Sequence, residues 1–360
     1  MMFSVRWILR LTCFVALIGT GLGNPVDWKD SLQSGLVQHY AGHFAEAEVL
    51  LRSALEESRR AGRKTEIAET LNHLGDVYLS EDRLSDAEDA YREAISLYKE
   101  SASPAIGAIV ALRGLGTVLS LEGQEDKAIS ALNAALRQAK ASFGSDDELI
   151  AEILNSLGMA YAQRHDLKKA ETFFLEVVGM KPGAGSVAFS TANALNNVAQ
   201  IHRDQRKYAD AEREHRQSLE ITIRLLGSSH PEVGITRGSL GMLYLRVGRL
   251  DDAKSELLES LRITEQTDPL IPGRMVRILH VLSEVYLRQG NVTESEEALG
   301  RAVEIARKNP SDPETATVLE AYSSILKRSG KAEQSRNTHA EADRVRATLA
   351  LTAPVRSLAR

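Results

Sequence analysis

Small residues recur at fixed intervals along this chain, and the repetition limits the available folds more than any other feature. A first column of small residues stands at Gly35, Gly75, Gly116, Gly158, Ala199, Gly241, Ser283 and Ser323, at intervals of 40 to 42 residues. A second column follows twelve residues later, at Ala47, Ala87, Ala128, Ala170, Ala211, Ala253, Ser295 and Ser335. A third follows after seven more, at Ala54, Ala94, Ala135, Val177, Ser218, Ser260, Ala302 and Ala342. A period of this length predicts an array of eight similar units.

Each unit has the pattern of two antiparallel helices. Small residues in the first two columns let the helices approach closely, and larger residues such as Tyr91, Leu132 and Phe174 fill the space around them. Glycines that can adopt a positive φ lie between the two halves of five units, at Gly42, Gly123, Gly248, Gly290 and Gly330. Prolines fall between units, where they begin a helix without breaking one. The sequence therefore predicts an all-α chain of helical hairpins.

Composition supports helices and narrows the classes of partner. Of the 360 residues, 43% are apolar and only 5% aromatic, which disfavours a β-sandwich or barrel. The formal charge of -5, from 44 basic and 49 acidic residues, is too balanced for nucleic acid to be the main partner. The one cysteine, Cys13, excludes an intrachain disulfide framework and a cysteine-based zinc site.

The N-terminus has the three parts of a secretory signal. Arg6 and Arg10 precede an apolar stretch from Leu11 to Leu22, and small residues lie just before Asn24. The apolar stretch is shorter than the roughly 20 residues that span a bilayer. We therefore expect residues 1–23 to be a cleaved signal peptide and the protein to be exported, periplasmic or secreted. An uncleaved membrane anchor beginning near Trp7 is the alternative.

The repeat resembles a known family. Residues typical of the tetratricopeptide repeat (TPR) occur in runs such as Leu74-Gly75, Tyr78, Ala87-Glu88, Tyr91 and Ala94. The long period, the run Leu195–Ala199 and the linker Leu226–Pro231 are similar to the repeats of kinesin light chains. The resemblance implies an α-solenoid, a right-handed superhelix of about eight TPR hairpins following the signal peptide.

The predicted organisation is a signal peptide, a TPR array over residues 24–346, and a flexible C-terminal tail over 347–360. The eight units are expected at about 28–62, 65–102, 105–142, 146–180, 186–226, 231–267, 272–309 and 312–346. Terminal repeats face water on one side, so we expect polar outer surfaces on the first and last units.

One stripe on the first helix of each unit points away from its hairpin mate. In the TPR family this stripe lines a concave groove that binds peptides, and the resemblance implies the same groove here. The predicted groove residues are Asn72, Asp76, Asn155, Asn193, Asn196, Gln200, Arg203, Arg246, Arg277, His280, Arg288, Lys327 and Arg328.

Two interpretations of these polar residues stay open. Asparagine amides suit an extended backbone, and arginines capture carboxylates, so an acidic segment or a chain terminus is a candidate ligand for the C-terminal half. Alternatively, Arg246, Arg288 and Arg328 lie in the last turns of their helices and only offset the helix dipole.

His202 and His215 occupy core columns of the fifth unit, where the other units carry Tyr, Leu or Phe at most positions. The two rings are expected to face each other, either as a hydrogen-bonded core pair or, as a remote alternative, in a metal-dependent function. No third ligand is evident, and we expect no metal, no cofactor and no catalysis.

The sequence thus favours an exported, non-catalytic scaffold that binds a protein or peptide partner through its groove. A structural or oligomeric envelope component that docks through its convex face or its ends is the alternative. No nucleic acid and no stable membrane insertion of the mature chain are expected.

Overall fold

The computed structural model describes residues 28–101, 105–144, 147–181, 187–267, 272–308 and 312–352. The predicted signal peptide lies outside these residues, as do the last eight residues of the predicted tail. Within the described residues the regular structure consists of sixteen α-helices, with no strand. The all-α prediction is therefore confirmed. None of the described helices is both long enough and apolar enough to cross a lipid bilayer.

The chain divides into two compact units, residues 1–111 and 112–360. Along the chain the helices alternate as the first and second helices of eight hairpins. The hairpins are α1 (Trp28–Tyr40) with α2 (Phe44–Arg60), α3 (Lys64–Ser80) with α4 (Leu84–Glu100), α5 (Ala105–Leu121) with α6 (Glu125–Ser142), α7 (Glu148–Gln163) with α8 (Leu167–Val178), α9 (Val187–Asp204) with α10 (Tyr208–Leu226), α11 (Pro231–Val247) with α12 (Leu250–Thr267), α13 (Pro272–Arg288) with α14 (Val292–Ala306), and α15 (Pro313–Arg328) with α16 (Ala332–Thr352).

The three columns of small residues are buried in every hairpin. At glycines of the first column the helices approach so closely that a Cβ would collide with the second helix. A Cβ added to Gly158 would lie 2.4 Å from Phe174 Cε1, and one added to Gly116 would lie 2.5 Å from Leu132 Cγ. The large residue of the second helix therefore occupies the space that a side chain on the first helix would need.

The turn inside each hairpin has the same backbone conformation in all eight repeats. The residue seven positions after the first column has a positive φ, and in five hairpins it is the glycine expected from the sequence. In the other three it is Asp82, His165 or Arg206, each with φ between 60° and 63°. Tertiary packing holds these residues in a conformation that costs a side chain about 1 kcal/mol.

Helix starts combine capping side chains with proline. Asp147 Oδ1 accepts a hydrogen bond from the Leu149 amide at 2.9 Å, and Asp312 Oδ1 accepts one from Glu314 at 2.9 Å. Pro231 and Pro313 each occupy the first turn of a first helix, where the missing N–H has no helical partner.

Both ends of the array differ from the sequence expectation. The first hairpin is not uniformly polar outside, because Val37 is 54%, Tyr40 82% and Val49 69% exposed. At the other end α16 continues to Thr352, beyond the expected array boundary at 346. Four of the six residues 347–352 are Ala or Leu, which are good helix formers, and the next proline comes only at Pro354.

The glycine column provides a stability test. We expect Gly158→Val to destabilise the protein by about 1–3 kcal/mol, because overpacking against Phe174 outweighs the gain in helix propensity over glycine. Chemical denaturation followed by circular dichroism measures the effect. Met159→Val, at the next position and 50% exposed, is the control and should stay within about 0.5 kcal/mol of the parent protein. Equal stability of the two variants would contradict the packing scheme.

Candidate functional site

In the unit formed by residues 112–360, several first helices pack against the first helix of the next hairpin. Contacts join α7 to α9, α11 to α13, and α13 to α15. These helices form a common face, and most of the predicted groove residues lie on them. The structure divides those residues into three groups by what their side chains contact.

The asparagines three positions before the first column connect neighbouring hairpins. Asn72 Nδ2 donates to the Gly107 carbonyl at 2.9 Å, and Asn155 Nδ2 donates to the Ser190 carbonyl at 2.9 Å. Asn196 Nδ2 donates to Thr236 Oγ1 at 2.9 Å. Each of these amide nitrogens therefore connects two neighbouring hairpins, whereas Oδ1 of Asn72 and of Asn155 has no hydrogen-bond partner within the described residues.

Other side chains make the same connection at this position. Arg113 Nε lies 3.4 Å from Glu152 Oε2, and His280 Nδ1 lies 3.2 Å from Glu314 Oε1. From the second hairpin to the seventh, the residue three positions before the first column bridges to the next first helix in every case but one. The exception is Gly238 on α11, which has no side chain with which to bridge.

A cleft opens where this bridge is missing. It has a volume of about 210 Å³ and is lined by α9, α11 and α13, with Leu257 and Ser260 of α12 at its base. Gly234 and Gly238 leave space on α11, and apolar walls come from α11 and α13. The wall residues are Ile235, Met242, Ile278 and Val281.

Three arginines line the cleft, and two of them, Arg203 and Arg277, are predicted groove residues, as is the exposed Gln200. Arg203 is 21% exposed and pairs with Asp204 at 3.1 Å. Arg277 is exposed and has no ion pair within the described part of the chain. The third is Arg274, one turn before it. The cleft therefore combines an apolar interior with guanidinium groups.

The remaining predicted groove residues lie outside this cleft. Arg288 donates to the Leu245 carbonyl at 3.2 Å and pairs with Glu284 at 2.6 Å, so it caps the end of α11. Asp76 accepts a hydrogen bond from the Tyr91 hydroxyl at 2.7 Å. Arg246, Lys327 and Arg328 are exposed, Arg328 beside a smaller cleft of about 180 Å³, and Asn193 is half-buried on α9.

The two core histidines do not pair with each other. His202 places Nδ1 2.8 Å from Glu214 Oε2 and Nε2 3.2 Å from Glu171 Oε1. His215 Nδ1 lies 2.9 Å from Asn196 Oδ1. The expected histidine pair is therefore wrong, because each ring has other polar partners within reach. Within the described residues no group of three or more His, Cys, Asp or Glu side chains is arranged to hold a metal ion.

Burial disfavours a charge on two groups of this hairpin. Burial, aided by the nearby charge of Arg203, lowers the pKa of His215 to about 4. Burial raises the pKa of Glu214, against the opposing effect of its hydrogen bond to His202.

Helical hairpins stacked through first-helix contacts define a helical-repeat protein. Residues 30–100, 107–182, 190–266 and 274–345 match the tetratricopeptide repeat family, so the chain belongs to this family. The predicted likeness to kinesin light chain repeats is also confirmed. The chain is 24% identical over 257 residues to Protein KINESIN LIGHT CHAIN-RELATED 1 of Arabidopsis thaliana. The match covers 68% of this chain but only 40% of the plant protein, so the chain spans less than half of that relative's length.

Solved structures share the fold. The structure of BtubC (BKLC) from P. vanneervenii matches with a TM-score of 0.55 and 24% identity, covering 63% of this chain and 91% of that chain. The apo form of the quorum sensor NprR from B. thuringiensis matches with a TM-score of 0.67 and 12% identity, covering 88% of each chain. At these identities the likeness shows the fold alone.

The sequence analysis did not predict four residues that line the cleft: Gly234, Gly238, Met242 and Arg274. A signal was present for Gly238, because glycine replaces Asn, Arg or His at the bridging position of the sixth repeat. The bridging role of that position becomes visible only once neighbouring hairpins are placed side by side.

The buried His215 predicts a pH dependence of stability. Its folded-state pKa lies below the unfolded value of about 6.5, so the unfolded chain binds the extra proton between these values and stability falls as pH decreases through this window. From pH 7 to pH 5 we expect the wild type to lose about 2 kcal/mol more than His215→Leu, which carries the residue found at this column in other repeats. Hydrogen exchange of α9 and α10 amides measures the difference. An equal loss in both proteins would show that His215 does not titrate in this way.

Proposed function

We propose that this protein is a non-catalytic scaffold that binds an extended, acidic segment of another protein. Membership of the TPR family supports a role in protein–protein interaction generally, since its members are in general interaction scaffolds rather than catalysts. The finer proposal places the bound segment on the first-helix face of residues 112–360.

The observation that carries the proposal is the cleft between α9, α11 and α13. In this cleft, predicted groove residues from different hairpins, Arg203 and Arg277, line one space beside apolar walls. The bridging asparagines do not line this cleft, and their amide nitrogens donate to neighbouring hairpins.

Guanidinium groups beside an apolar space favour a carboxylate as the charged part of the ligand. Arginine donates two parallel hydrogen bonds to a carboxylate, and bonds to charged groups contribute about 1.5–3 kcal/mol each. Arg277 has no competing carboxylate within the described residues, whereas Arg203 has Asp204. Arg277 is therefore the first contact for an acidic side chain, and Arg203 joins once it exchanges partners.

We also propose that the protein acts outside the cytoplasm, after removal of residues 1–23. The support is the order of Arg6 and Arg10, the apolar stretch to Leu22 and the small residues before Asn24. N-terminal sequencing of the protein purified from its native source should begin at Asn24. A sequence beginning at Met1 would favour the uncleaved anchor instead.

Charge reversal tests the binding proposal. We expect Arg203→Glu combined with Arg277→Glu to weaken binding to acidic peptides by at least about 100-fold, because two charge-assisted contacts become repulsive. Fluorescence anisotropy with short labelled peptides that differ only in their number of acidic residues measures the affinity.

The matched control reverses two exposed arginines on second helices, Arg224 and Arg336, and should leave affinity unchanged. Circular dichroism should be the same for all proteins. If both double variants weaken binding equally, or if affinity does not rise with peptide charge, the site proposal is wrong.

A further inference from the structure

The repeat that lacks a bridging side chain is also the repeat beside which the cleft of about 210 Å³ opens. Elsewhere from the second to the seventh hairpin, an Asn, Arg or His side chain spans the gap between successive first helices. At α11 that position is Gly238, and the space that a bridge would cross remains open between α11 and α13.

Two glycines one turn apart deepen this space. A Cβ added to Gly238 would lie 3.1 Å from Ser260 Oγ, and one added to Gly234 would lie 3.1 Å from Ile263 Cγ2. Ser260 cannot easily move away, because its hydroxyl donates to the Gly234 carbonyl at 2.6 Å. The absence of both side chains lets the cleft reach the buried Leu257 of α12.

The cleft has the size and lining for one large side chain. Its walls are Ile235, Met242, Ile278 and Val281, and its volume is about 210 Å³. Apolar walls of this kind favour an aliphatic or aromatic group. Arg203, Arg274 and Arg277 line the same space, so a carboxylate held there lies beside that group.

We propose that Gly238 and Gly234 form a specificity pocket that takes one large apolar side chain of the bound segment, next to a carboxylate held by Arg203 and Arg277. This inference rests on the proposed function and adds the ligand's apolar residue to it. A segment that is acidic but has no large apolar residue should bind more weakly by about 10- to 100-fold, the effect of burying one such side chain.

The experiment uses a small probe that carries both groups, so it does not require the partner to be known. N-acetyl-leucine and N-acetyl-alanine have the same carboxylate and differ only in the size of the side chain. We expect N-acetyl-leucine to shift the Met242 methyl resonance of the mature protein in a saturable way, and N-acetyl-alanine to shift it at least about 10-fold more weakly. Met242→Leu assigns the resonance.

Gly238→Asn restores the amide found in three other repeats and should abolish the N-acetyl-leucine response. Because the new Cβ would crowd Ser260, a second variant fills the cleft from its partly exposed wall, Ile235→Trp, and should have the same effect. Met159→Asn, on the exposed side of α7, is the control and should respond like the wild type.

The outcomes separate this inference from the proposed function. Equal responses to the two probes, or an unchanged response when both filling variants are folded, would overturn the pocket while leaving the acidic-peptide test unaffected. Conversely, a leucine-selective response that Gly238→Asn removes would establish the pocket even if charge reversal at Arg203 and Arg277 did not change peptide binding.

Discussion

Close approach of two helices at a column of glycines, alanines and serines is the constraint on which the rest of this structure depends. At Gly158 the ring of Phe174 lies where a Cβ would be, and at Gly116 the side chain of Leu132 does the same. With the hairpin closed in this way, its first helix keeps its opposite face free for the next hairpin. Repetition of the contact therefore determines both the stacking of hairpins and the face that remains available for other contacts.

Many polar side chains on this first-helix face connect neighbouring hairpins. The amides of Asn72, Asn155 and Asn196 each donate to the next hairpin, and Arg288 caps the carbonyl end of α11. A polar residue on the groove stripe is thus not by itself a ligand contact. The candidate site lies where such bridging stops, at Gly238, and its chemistry comes from arginines of two hairpins around an apolar interior.

The fifth hairpin shows how polar residues enter a core of this type. His215 stands where most other repeats carry Leu, Tyr or Phe, and its ring hydrogen-bonds to Asn196, whose amide nitrogen donates to Thr236 on the next hairpin. His202 instead lies between the carboxylates of Glu171 and Glu214, which come from two different helices. Both arrangements connect hairpins through polar side chains, and burial lowers the pKa of His215.

The sequence by itself determined the helices, the hairpins, the turn glycines and the family, because each depends on residues within about 20 positions that recur eight times. It also placed Gln200, Arg203 and Arg277 on one stripe of the first helices, and all three line the cleft. Only the tertiary structure decided which polar residues bridge hairpins and which line a cleft, because these contacts join residues more than 30 positions apart, such as Asn155 and Ser190 or Arg203 and Arg277. The tertiary structure also decided three further features. These are the positive φ of the three non-glycine turn residues, the exposure of Tyr40 and the missing bridge at Gly238. The small-residue pattern is satisfied by contacts within each hairpin. Packing between repeats can therefore strain a turn or leave a gap without disturbing that pattern.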